Sequence, residues 1–329
     1  MESKLKSLSK PVELVTPYHN ILRISYQIST VCNYTCDYCF PGSRDGQYPF
    51  RKDWKQLADN FTAMFNYYKT HTNKNKFELS LAGGEPSMWA PLEKFCNEVK
   101  KENDVIIQLV SNASRTLRWW EENAHLIDKA ALSCHHKEVD IDHFIQVADI
   151  LYKKGTLTVV QVLMDPLAWD KCLDLIEKLK TSKYGWAIRL QRLEKTDYSV
   201  EQIEFLKKPL LRRPNLWSEW QQRKKSFNKE PIAIFPDGSK KRLSAHELSL
   251  NNWNNFYGWS CNLGIDSVFI TPNGDITGTC NQKLFNLDYL YNIHDLDFKE
   301  KFNPTIQPTL CKSLSCWCVP EANLTKKKL

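Results

Sequence analysis

Residues 32–39 read CNYTCDYC, and they directly follow an apolar, strand-like stretch that begins near Leu22. Cys32, Cys36 and Cys39 have the spacing C-x3-C-x2-C. Thiolates are soft ligands, and three of them this close together can hold three irons of a four-iron cluster. The fourth iron would then have no protein ligand nearby in the sequence, which leaves a position where a small molecule can bind.

Zinc binding and disulfide bonding are the other interpretations of these cysteines. C-x2-C pairs are common in zinc sites, but such sites need a second pair to complete a tetrahedron. Disulfides are typical of short secreted chains, whereas this chain has 329 residues and no signal peptide. The spacing therefore favours an iron–sulfur cluster, with zinc as the remaining alternative.

A glycine-containing turn follows the cysteine loop after one predicted helix. Residues 77–86 read FELSLAGGEP, in which alternating apolar positions predict a strand. The pair Gly83-Gly84 allows the end of this strand to turn tightly and to expose backbone groups. A glycine pair alone is a weak signal. Its position after the cysteine loop makes the combination much more specific.

Together these motifs resemble the radical S-adenosylmethionine (radical SAM) superfamily. Its hallmarks are C-x3-C-x2-C after the first strand of the core and GGEP after the second. Tyr38, the aromatic residue just before the last cysteine, also matches the family pattern. The resemblance covers about residues 21–195 in the order of their elements.

The resemblance implies a set of cofactors and contacts. Cys32, Cys36 and Cys39 would bind a 4Fe–4S cluster, and S-adenosylmethionine (SAM) would chelate its open iron. An electron from a donor such as a flavodoxin or ferredoxin would cleave SAM to methionine and a 5′-deoxyadenosyl radical, which abstracts a substrate hydrogen. Tyr38 would lie beside the adenine. The methionine end of SAM would be lined by Gly83, Gly84, Glu85 and Pro86.

Composition agrees with a globular enzyme. Apolar residues make up 42% of the chain, and no apolar run approaches the roughly 20 residues that cross a membrane. Residues 1–20 contain no hydrophobic segment for secretion. Eleven cysteines without export indicate metal binding in a cytoplasmic protein.

The formal net charge of +7 is modest. Its basic runs are more typical of solvated faces than of a nucleic-acid site, and no RNA-binding motif accompanies them. Nucleic acid is therefore not an expected partner. The runs are Arg212-Arg213, Arg223-Lys224-Lys225, Lys240-Lys241-Arg242 and Lys326-Lys327-Lys328.

Strands and helices alternate through the first two-thirds of the chain, which predicts a parallel sheet with helical crossovers. Six strands joined by helices, rather than eight, indicate a partial (β/α)6 barrel with its site at the strand ends. The predicted strands are Leu22–Thr30, Phe77–Ala82, Val105–Ser111, Lys129–Cys134, Thr156–Met164 and Trp186–Leu193. The predicted helices are Asp53–His71, Pro91–Lys101, Leu117–Asp128, Asp140–Lys154 and Leu167–Lys180.

Polar residues at two strand ends are candidates for binding SAM. Asn112 follows the third strand of the barrel. At the end of the fourth, period-2 alternation puts Ser133 and His135 on one face. These two would point into the barrel if Leu132 packs outward, and in this superfamily that region lies near the ribose. Cys134 is a weak candidate for a hydrogen-atom donor, and core packing is the alternative.

A second group of cysteines follows a connector. In that connector, at residues 209–255, the sequence predicts only a short hairpin around Pro236-Asp237-Gly238. Cys261 precedes a hairpin whose turn contains Asn273-Gly274, and that turn brings Cys261 and Cys280 together. Further ligands are available from Cys311, Cys316 and Cys318.

This region resembles the SPASM and twitch auxiliary-cluster domains of radical SAM enzymes. Five cysteines are too few for two auxiliary clusters, so one 4Fe–4S cluster is expected, with structural zinc as the alternative. Which of the last three cysteines bind the metal is left open. The expected domains are an N-terminal extension at residues 1–20, a radical SAM core at 21–208, a connector at 209–255 and the auxiliary-cluster domain, with its β-hairpin, at 256–329.

The substrate is not decided by any residue. Auxiliary-cluster relatives include enzymes that modify peptides or protein side chains, and this is the first expectation. The alternative is a dehydrogenase or epimerase of a small molecule such as a sugar or nucleoside. A non-catalytic iron–sulfur protein is a third interpretation, but it leaves the GGEP turn without a purpose.

Overall fold

The computed structural model describes residues 10–17, 19–39, 42–193, 196–207, 210–212, 230–278, 291–316 and 322–329. Two compact units divide the chain. The parallel-sheet unit consists of Ser25–Thr62 and Glu78–Ser226. The antiparallel-sheet unit consists of Met1–Ile24, Ala63–Phe77 and Phe227–Leu329.

The strands and helices have the following bounds in chain order. The strands are β1 Glu13–Val15, β2 Ile21–Gln27, β3 Lys76–Ala82, β4 Val105–Ser111, β5 Lys129–Cys134, β6 Leu157–Met164, β7 Ala187–Arg192, β8 Leu210–Arg212, β9 Ile232–Ile234, β10 Lys240–Arg242, β11 Trp259–Cys261, β12 Ser267–Ile270, β13 Ile276–Thr277, β14 Thr309–Leu310 and β15 Lys326–Lys328. The helices are α1 Trp54–His71, α2 Leu92–Lys100, α3 Leu117–Asn123, α4 Ile141–Lys153, α5 Trp169–Lys180, α6 Val200–Leu206, α7 Ala245–Leu250 and α8 Phe298–Lys301. Short 3-10 turns are found at Pro86–Met88, Ala124–Leu126 and Pro166–Ala168.

In the parallel-sheet unit, the strands follow the order β2-β3-β4-β5-β6-β7-β8. The registers from β4 to β7 are parallel, and β8 pairs with β7 in the antiparallel direction. Parallel neighbours need a crossover connection, and α3, α4 and α5 supply it. The predicted α/β fold with a parallel sheet is confirmed, whereas closure of the sheet into a partial barrel stays a prediction.

Local capping explains where the crossover helices start and stop. Asp140 accepts a hydrogen bond from the backbone N–H of His143 at 3.2 Å and so begins α4. Thr116 does the same for α3 through the N–H of Trp119. Gly155 adopts a φ of +81°, which lets the chain leave α4 and enter β6.

Side chains of β5 alternate between the two faces of the sheet. Leu132 and Cys134 are fully buried, whereas Ser133 between them is partly exposed. Ser133 therefore lies on the face opposite to Leu132, and period-2 alternation predicts the same face for His135, which follows the strand. This face carries the candidate site residues of β5.

In the antiparallel-sheet unit, six strands follow the order β10-β9-β1-β15-β11-β14. Each neighbouring pair is antiparallel. The hairpin expected around Pro236-Asp237-Gly238 is formed by β9 and β10, with Gly238 at a φ of +80°. The predicted connector has more regular structure than expected, because α7 follows this hairpin and begins with a capping box at Ser244.

A second hairpin in this unit is formed by β12 and β13 around Asn273-Gly274. β12 lies beside the first residues of β2, where the N–H of Arg23 donates to the carbonyl of Asp266 at 3.1 Å. The predicted hairpin is confirmed as far as Gly278, and Cys280 lies outside the described residues. Nowhere in the described ranges is there a helix with the length and apolar character needed to cross a membrane.

Candidate active site

The cysteine loop is fixed at its start by the segment that follows it. Ser29 donates its hydroxyl to the carbonyl of Tyr48 at 2.9 Å and accepts from the N–H of Val31 at 2.9 Å. The backbone N–H of Thr30 also donates to the carbonyl of Tyr48, at 2.9 Å. Val31 and the cysteines after it therefore leave the end of β2 in a defined direction.

The glycine pair makes room for this loop. Gly83 and Gly84 have φ values of +82° and +54°. A Cβ on Gly83 would lie 2.8 Å from the carbonyl oxygen of Ser29, and one on Gly84 would lie 2.1 Å from that of Val31. Both distances are too short for a side chain, so glycine is required where the two loops meet. The close approach also brings the N–H of Glu85 within 2.8 Å of the carbonyl oxygen of Val31.

The carboxylate of Glu85 connects the ends of β3 and β4. It is buried and accepts from the Ser111 hydroxyl at 2.7 Å, the Asn112 N–H at 2.6 Å and the Ser87 N–H at 3.0 Å. Burial raises the pKa of Glu85, and these hydrogen bonds oppose the shift. Glu85 thus orients the residues around it, including Asn112.

The three cysteines of the loop are close enough to influence one another. Burial is the main cause that raises the pKa of Cys32 and of Cys36, the latter to about 11, and the neighbouring thiols raise both further. Cys36 is buried, whereas Cys32 and Cys39 are partly exposed. Metal binding at such thiols requires that they release their protons.

This donor set fits an iron–sulfur cluster. Among the described residues, no three His, Cys, Asp or Glu side chains surround a position for one metal ion. A 4Fe–4S cluster takes each cysteine on a different iron, so its ligands do not converge on one point. The soft thiols of one half-buried loop are the ligand type that such a cluster requires.

Glu138, which follows β5, is hydrogen-bonded to the middle of the cysteine loop. Glu138 accepts from both the N–H of Thr35, at 3.0 Å, and its hydroxyl, at 2.6 Å. Lys137 forms an exposed ion pair with Asp37 at 2.5 Å. The segment after β5 therefore positions the residues between Cys32 and Cys39.

Tyr38 and His135 contact each other beside the cysteine loop. The two rings stack with their centroids 5.9 Å apart, and the Tyr38 hydroxyl lies 3.1 Å from Nδ1 of His135. Nδ1 is also 3.4 Å from the sulfur of Cys36. Burial, followed by the neighbouring His136, lowers the pKa of His135 to about 4, so its imidazole is neutral at pH 7.

His136 was not singled out from the sequence, yet its ring packs on Tyr38 with a centroid distance of 5.6 Å. Its side chain is 1% exposed, and Nε2 lies 3.5 Å from Asp165 at the end of β6. Neither ring nitrogen has a hydrogen-bond partner among the described residues. The sequence feature that could have pointed to His136 is its position directly after His135, at the end of a strand.

Asn112 lies beside the cysteine loop and a polar cavity. Its amide donates to Asn33 at 3.0 Å and lies 3.9 Å from the sulfur of Cys32. The next residue, Ala113, has a φ of +62°, an uncommon backbone conformation for alanine. The cavity has a volume of about 220 Å³ and is lined by Tyr34, residues 112–114 and residues 138–140 together with His143 and Phe144.

Cys134 is fully buried on the face of β5 opposite to Ser133. Burial raises the pKa of its thiol to about 12, and Cys172 on α5 adds to the shift. This environment favours the alternative of core packing, and the hydrogen-donor role stays a prediction.

The antiparallel-sheet unit brings two of the later cysteines together. Cys261 ends β11, and Cys311 follows its neighbour β14, with the Cys311 N–H donating to the carbonyl of Trp259 at 2.8 Å. Both cysteines are 3% exposed and belong to one hydrophobic cluster, against which Cys316 packs. Cys280 and Cys318 lie outside the described residues. Their predicted roles as metal ligands remain predictions, as do those of the three described cysteines.

Comparison with known families identifies part of the parallel-sheet unit. Residues 26–136 match the family model described as the radical SAM superfamily. The match contains the cysteine loop, the glycine pair and the end of β5. The chain therefore carries a radical SAM superfamily domain, as its motifs predicted.

A curated relative is the S-adenosylmethionine-dependent nucleotide dehydratase of Thermoplasmatales archaeon (strain ISO4-H5). It is 26% identical over 166 residues, which are 46% of this chain and 56% of the relative. The match thus spans little more than half of that protein.

Two solved structures share the fold over most of the chain. anSMEcpe with bound AdoMet matches with a TM-score of 0.53 and 16% identity, covering 86% of this chain and 80% of that one. Streptococcus suis SuiB bound to its precursor peptide SuiA matches with a TM-score of 0.53 and 13% identity, covering 86% of this chain and 65% of SuiB. The superfamily domain and the enzyme name of the curated relative confirm the expectation of an enzyme and leave its reaction open.

Proposed function

We propose, from the radical SAM superfamily domain at residues 26–136, that this protein is a radical SAM enzyme that cleaves SAM reductively. The observation that carries the proposal is the cysteine loop packed on Gly83-Gly84, with Tyr38 and His135 beside Cys36. When bound, the cluster and SAM would supply a 5′-deoxyadenosyl radical that takes a hydrogen atom from the substrate.

The residues of the chain would hold and orient these groups. Cys32, Cys36 and Cys39 would bind the cluster, and the backbone at Gly83-Gly84 would offer SAM a surface with no side chain. Glu85 fixes the position of this turn relative to Asn112, because its carboxylate accepts a hydrogen bond from the Asn112 N–H. A protein that fixes a cofactor in this way contributes orientation and shielding from water rather than the chemical step itself.

The adenosine end of SAM would meet the aromatic and polar groups of β5. Neutral His135 presents an imidazole that carries no charge at pH 7, and Tyr38 stacks on its ring. Ser133 lies on the same strand face and would contact the ribose. Together with Pro86 at the end of the GGEP turn, these residues complete the proposed SAM site.

The first candidate substrate is a peptide or protein side chain. The support is the fold shared with SuiB, a protein solved with its precursor peptide SuiA, over 86% of this chain. That shared fold extends beyond the matched superfamily domain. The electron would come from a reduced donor such as a flavodoxin or ferredoxin.

A nucleotide or another small molecule is the second candidate. The curated relative described above is named a nucleotide dehydratase, and its matched region is 46% of this chain. This sequence similarity favours the small-molecule alternative, in which the substrate is a nucleoside or sugar derivative.

We further propose that the antiparallel-sheet unit binds one auxiliary 4Fe–4S cluster, as in SPASM and twitch domains. The support is the buried pair Cys261 and Cys311, with Cys316 beside it. Cys280 and Cys318 would complete the set. The division at residues 20, 208 and 255 and a cytoplasmic location also remain proposals from the sequence.

Anaerobic incubation with SAM and dithionite tests the reaction. We expect the reconstituted protein to release 5′-deoxyadenosine, and a Cys36→Ala variant to release none. No release from the iron-loaded wild type would support the non-catalytic alternative. Deuterium transfer from labelled candidate substrates into 5′-deoxyadenosine would then distinguish a peptide from a nucleotide.

A further inference from the structure

A groove lies where the cysteine loop and the GGEP turn lead into the first two crossover helices. It has a volume of about 480 Å³. One side is formed by residues between 50 and 54, which enter α1, and the other by residues between 88 and 94, which enter α2. Since α1 follows the end of β2 and α2 follows the end of β3, the groove adjoins the two strand ends that carry the cysteine loop and the GGEP turn.

Hydrogen bonds connect the groove to both of these motifs. The indole N–H of Trp89, a residue that is 3% exposed, donates to the carbonyl of Arg51 at 2.8 Å and so joins the two sides. The carbonyl of Tyr48, two residues before the groove begins, accepts from the hydroxyl of Ser29 at the start of the cysteine loop. The backbone N–H of Trp89 donates to the carbonyl of Pro86 at 3.1 Å. None of the proposed SAM contacts lines the groove, so a protein bound there would lie beside the proposed cluster without occupying the SAM site.

The charged residues that line the groove are all basic. Lys52 and Lys94 are exposed, and Arg51 is half-buried. None of the three forms an ion pair with a residue in the part of the chain that the structure describes. Asp53 and Glu93 are next to the two lysines in the sequence but do not line the groove. A positive rim of this kind attracts acidic partners and raises their rate of association.

The groove also offers aromatic surface to a partner. Phe50 and Trp54 are half-buried, so part of each ring is accessible. Aromatic residues and arginine are enriched where proteins bind one another. Electron-transfer partners meet through small, transient interfaces, and complementary charge steers their encounter. Aromatic rings combined with charges of a single sign match that kind of contact.

We propose that this groove is the docking site of the electron donor, and that the donor is a small electron-transfer protein with an acidic surface. The inference rests on the proposed cluster of Cys32, Cys36 and Cys39. One electron leaves the reduced donor, which is thereby oxidised, and enters the cluster, which is thereby reduced. No bond is formed between the two proteins. Lys52 and Lys94 would orient the donor through its carboxylates.

Charge reversal at the rim tests the docking site in the reconstituted protein. The probe is a reduced flavodoxin of negative net charge, and anaerobic stopped flow gives the second-order rate constant for bleaching of the iron–sulfur absorbance. We expect the double variant Lys52→Glu, Lys94→Glu to lower this constant roughly tenfold or more at low ionic strength, and added salt to shrink the difference. Reduction by dithionite needs no docking site and should keep its rate. The double variant Lys52→Arg, Lys94→Arg keeps both charges and should keep the flavodoxin rate.

A matched control comes from the other edge of the same sheet. Lys154 and Lys183 are exposed and shortly precede β6 and β7, so they lie where these strands begin. Lys154→Glu, Lys183→Glu makes the same change in net charge and should keep the wild-type rate. Carbodiimide cross-linking, which joins carboxylates to lysine amines, gives a second readout. Peptide mapping of the cross-linked complex should find Lys52 or Lys94 joined to flavodoxin.

The outcomes that would overturn the inference can be told apart from failure of the proposed function. If the chain binds no iron at Cys32, Cys36 and Cys39, the proposed function fails and the inference fails with it. If dithionite reduces the cluster normally but flavodoxin reduces the rim and control variants equally fast, or reduces neither of them nor the wild type, only the docking site is refuted. Equal flavodoxin rates together with cross-linking of a poly-glutamate peptide to Lys94 would assign the groove to an acidic peptide instead.

Discussion

Replacing Gly84 by alanine tests whether the glycine pair is needed for packing against the cysteine loop or only for contact with SAM. The added Cβ would lie 2.1 Å from the carbonyl oxygen of Val31, a backbone atom that no rotamer change can move. The residue would also have to keep a φ of +54°. Because Val31 directly precedes Cys32, any relief of this clash displaces the cysteine loop.

The expected cost has two parts. An alanine in the left-handed region costs about 1–2 kcal/mol. Forcing extra volume into a packed place costs about 1–3 kcal/mol more. The sum of about 2–5 kcal/mol is a large share of the 5–15 kcal/mol that typically separates folded from unfolded protein. Gly46→Ala is the matched control, since Gly46 has a φ of +73° but no described atom within 4 Å of the added Cβ.

Denaturant unfolding of the metal-free variants and iron counts after reconstitution would test this. We expect Gly84→Ala to lose more unfolding free energy than Gly46→Ala and to bind less iron at the first cluster. Gly46→Ala should keep nearly all of its iron. A Gly84→Ala protein as stable and as iron-rich as the Gly46→Ala protein would refute the argument that glycine is needed for the approach of Val31.

Three further predictions concern buried polar groups. Asp266→Asn leaves the ammonium of Lys74 buried without its carboxylate, so we expect a loss of about 3–5 kcal/mol of unfolding free energy. Adding Lys74→Met to this variant should restore most of the loss, and no restoration would argue against the ion pair as the cause. In metal-free protein, His135 has a folded pKa of about 4 against 6.5 when unfolded, so the unfolded state binds more protons between these values and stability is lost as the pH falls through that window. Wild type should therefore lose about 3 kcal/mol more than His135→Gln between pH 7 and pH 4 in denaturant titrations, and equal losses would contradict the shift. Glu85→Gln places an amide N–H against donors such as the Asn112 N–H. We expect this variant to lose about 1–3 kcal/mol of unfolding free energy relative to wild type at pH 7. An unchanged stability would contradict the role of Glu85 as a charged hydrogen-bond acceptor.

Regular elements of the parallel-sheet unit were predictable because their signals are local. β4 and β5 have the bounds that the alternation of apolar residues predicted, and α4 is shortened by one residue at each end, where its cap and exit lie. The helix predicted at Leu117–Asp128 instead ends at Asn123 and continues as the 3-10 turn Ala124–Leu126. Apolar spacing does not distinguish these two hydrogen-bond patterns.

The short strands of the antiparallel-sheet unit gave little signal, because three residues are too few to show a period. β1 is an example, since its pairing with β9 and β15 depends on partners far away in the sequence. The candidate site shows the same limit. Its cysteines and glycines stand in motifs, and His135 stands at a predicted strand end. The three partners of Glu85 and the hydrogen bonds from Thr35 to Glu138 depend instead on which strand ends lie side by side.

The position of β1 between β9 and β15 has a consequence for how the chain is made. Glu13 pairs with Ile234 on one side and with Lys327 on the other. During synthesis, β1 leaves the ribosome long before its partners, and both of its edges stay unpaired until β9, far later in the sequence, emerges. Its second neighbour, β15, follows later still. Unpaired edges attract other strands, so a nascent chain at this stage would be a natural client for chaperones that shield extended segments.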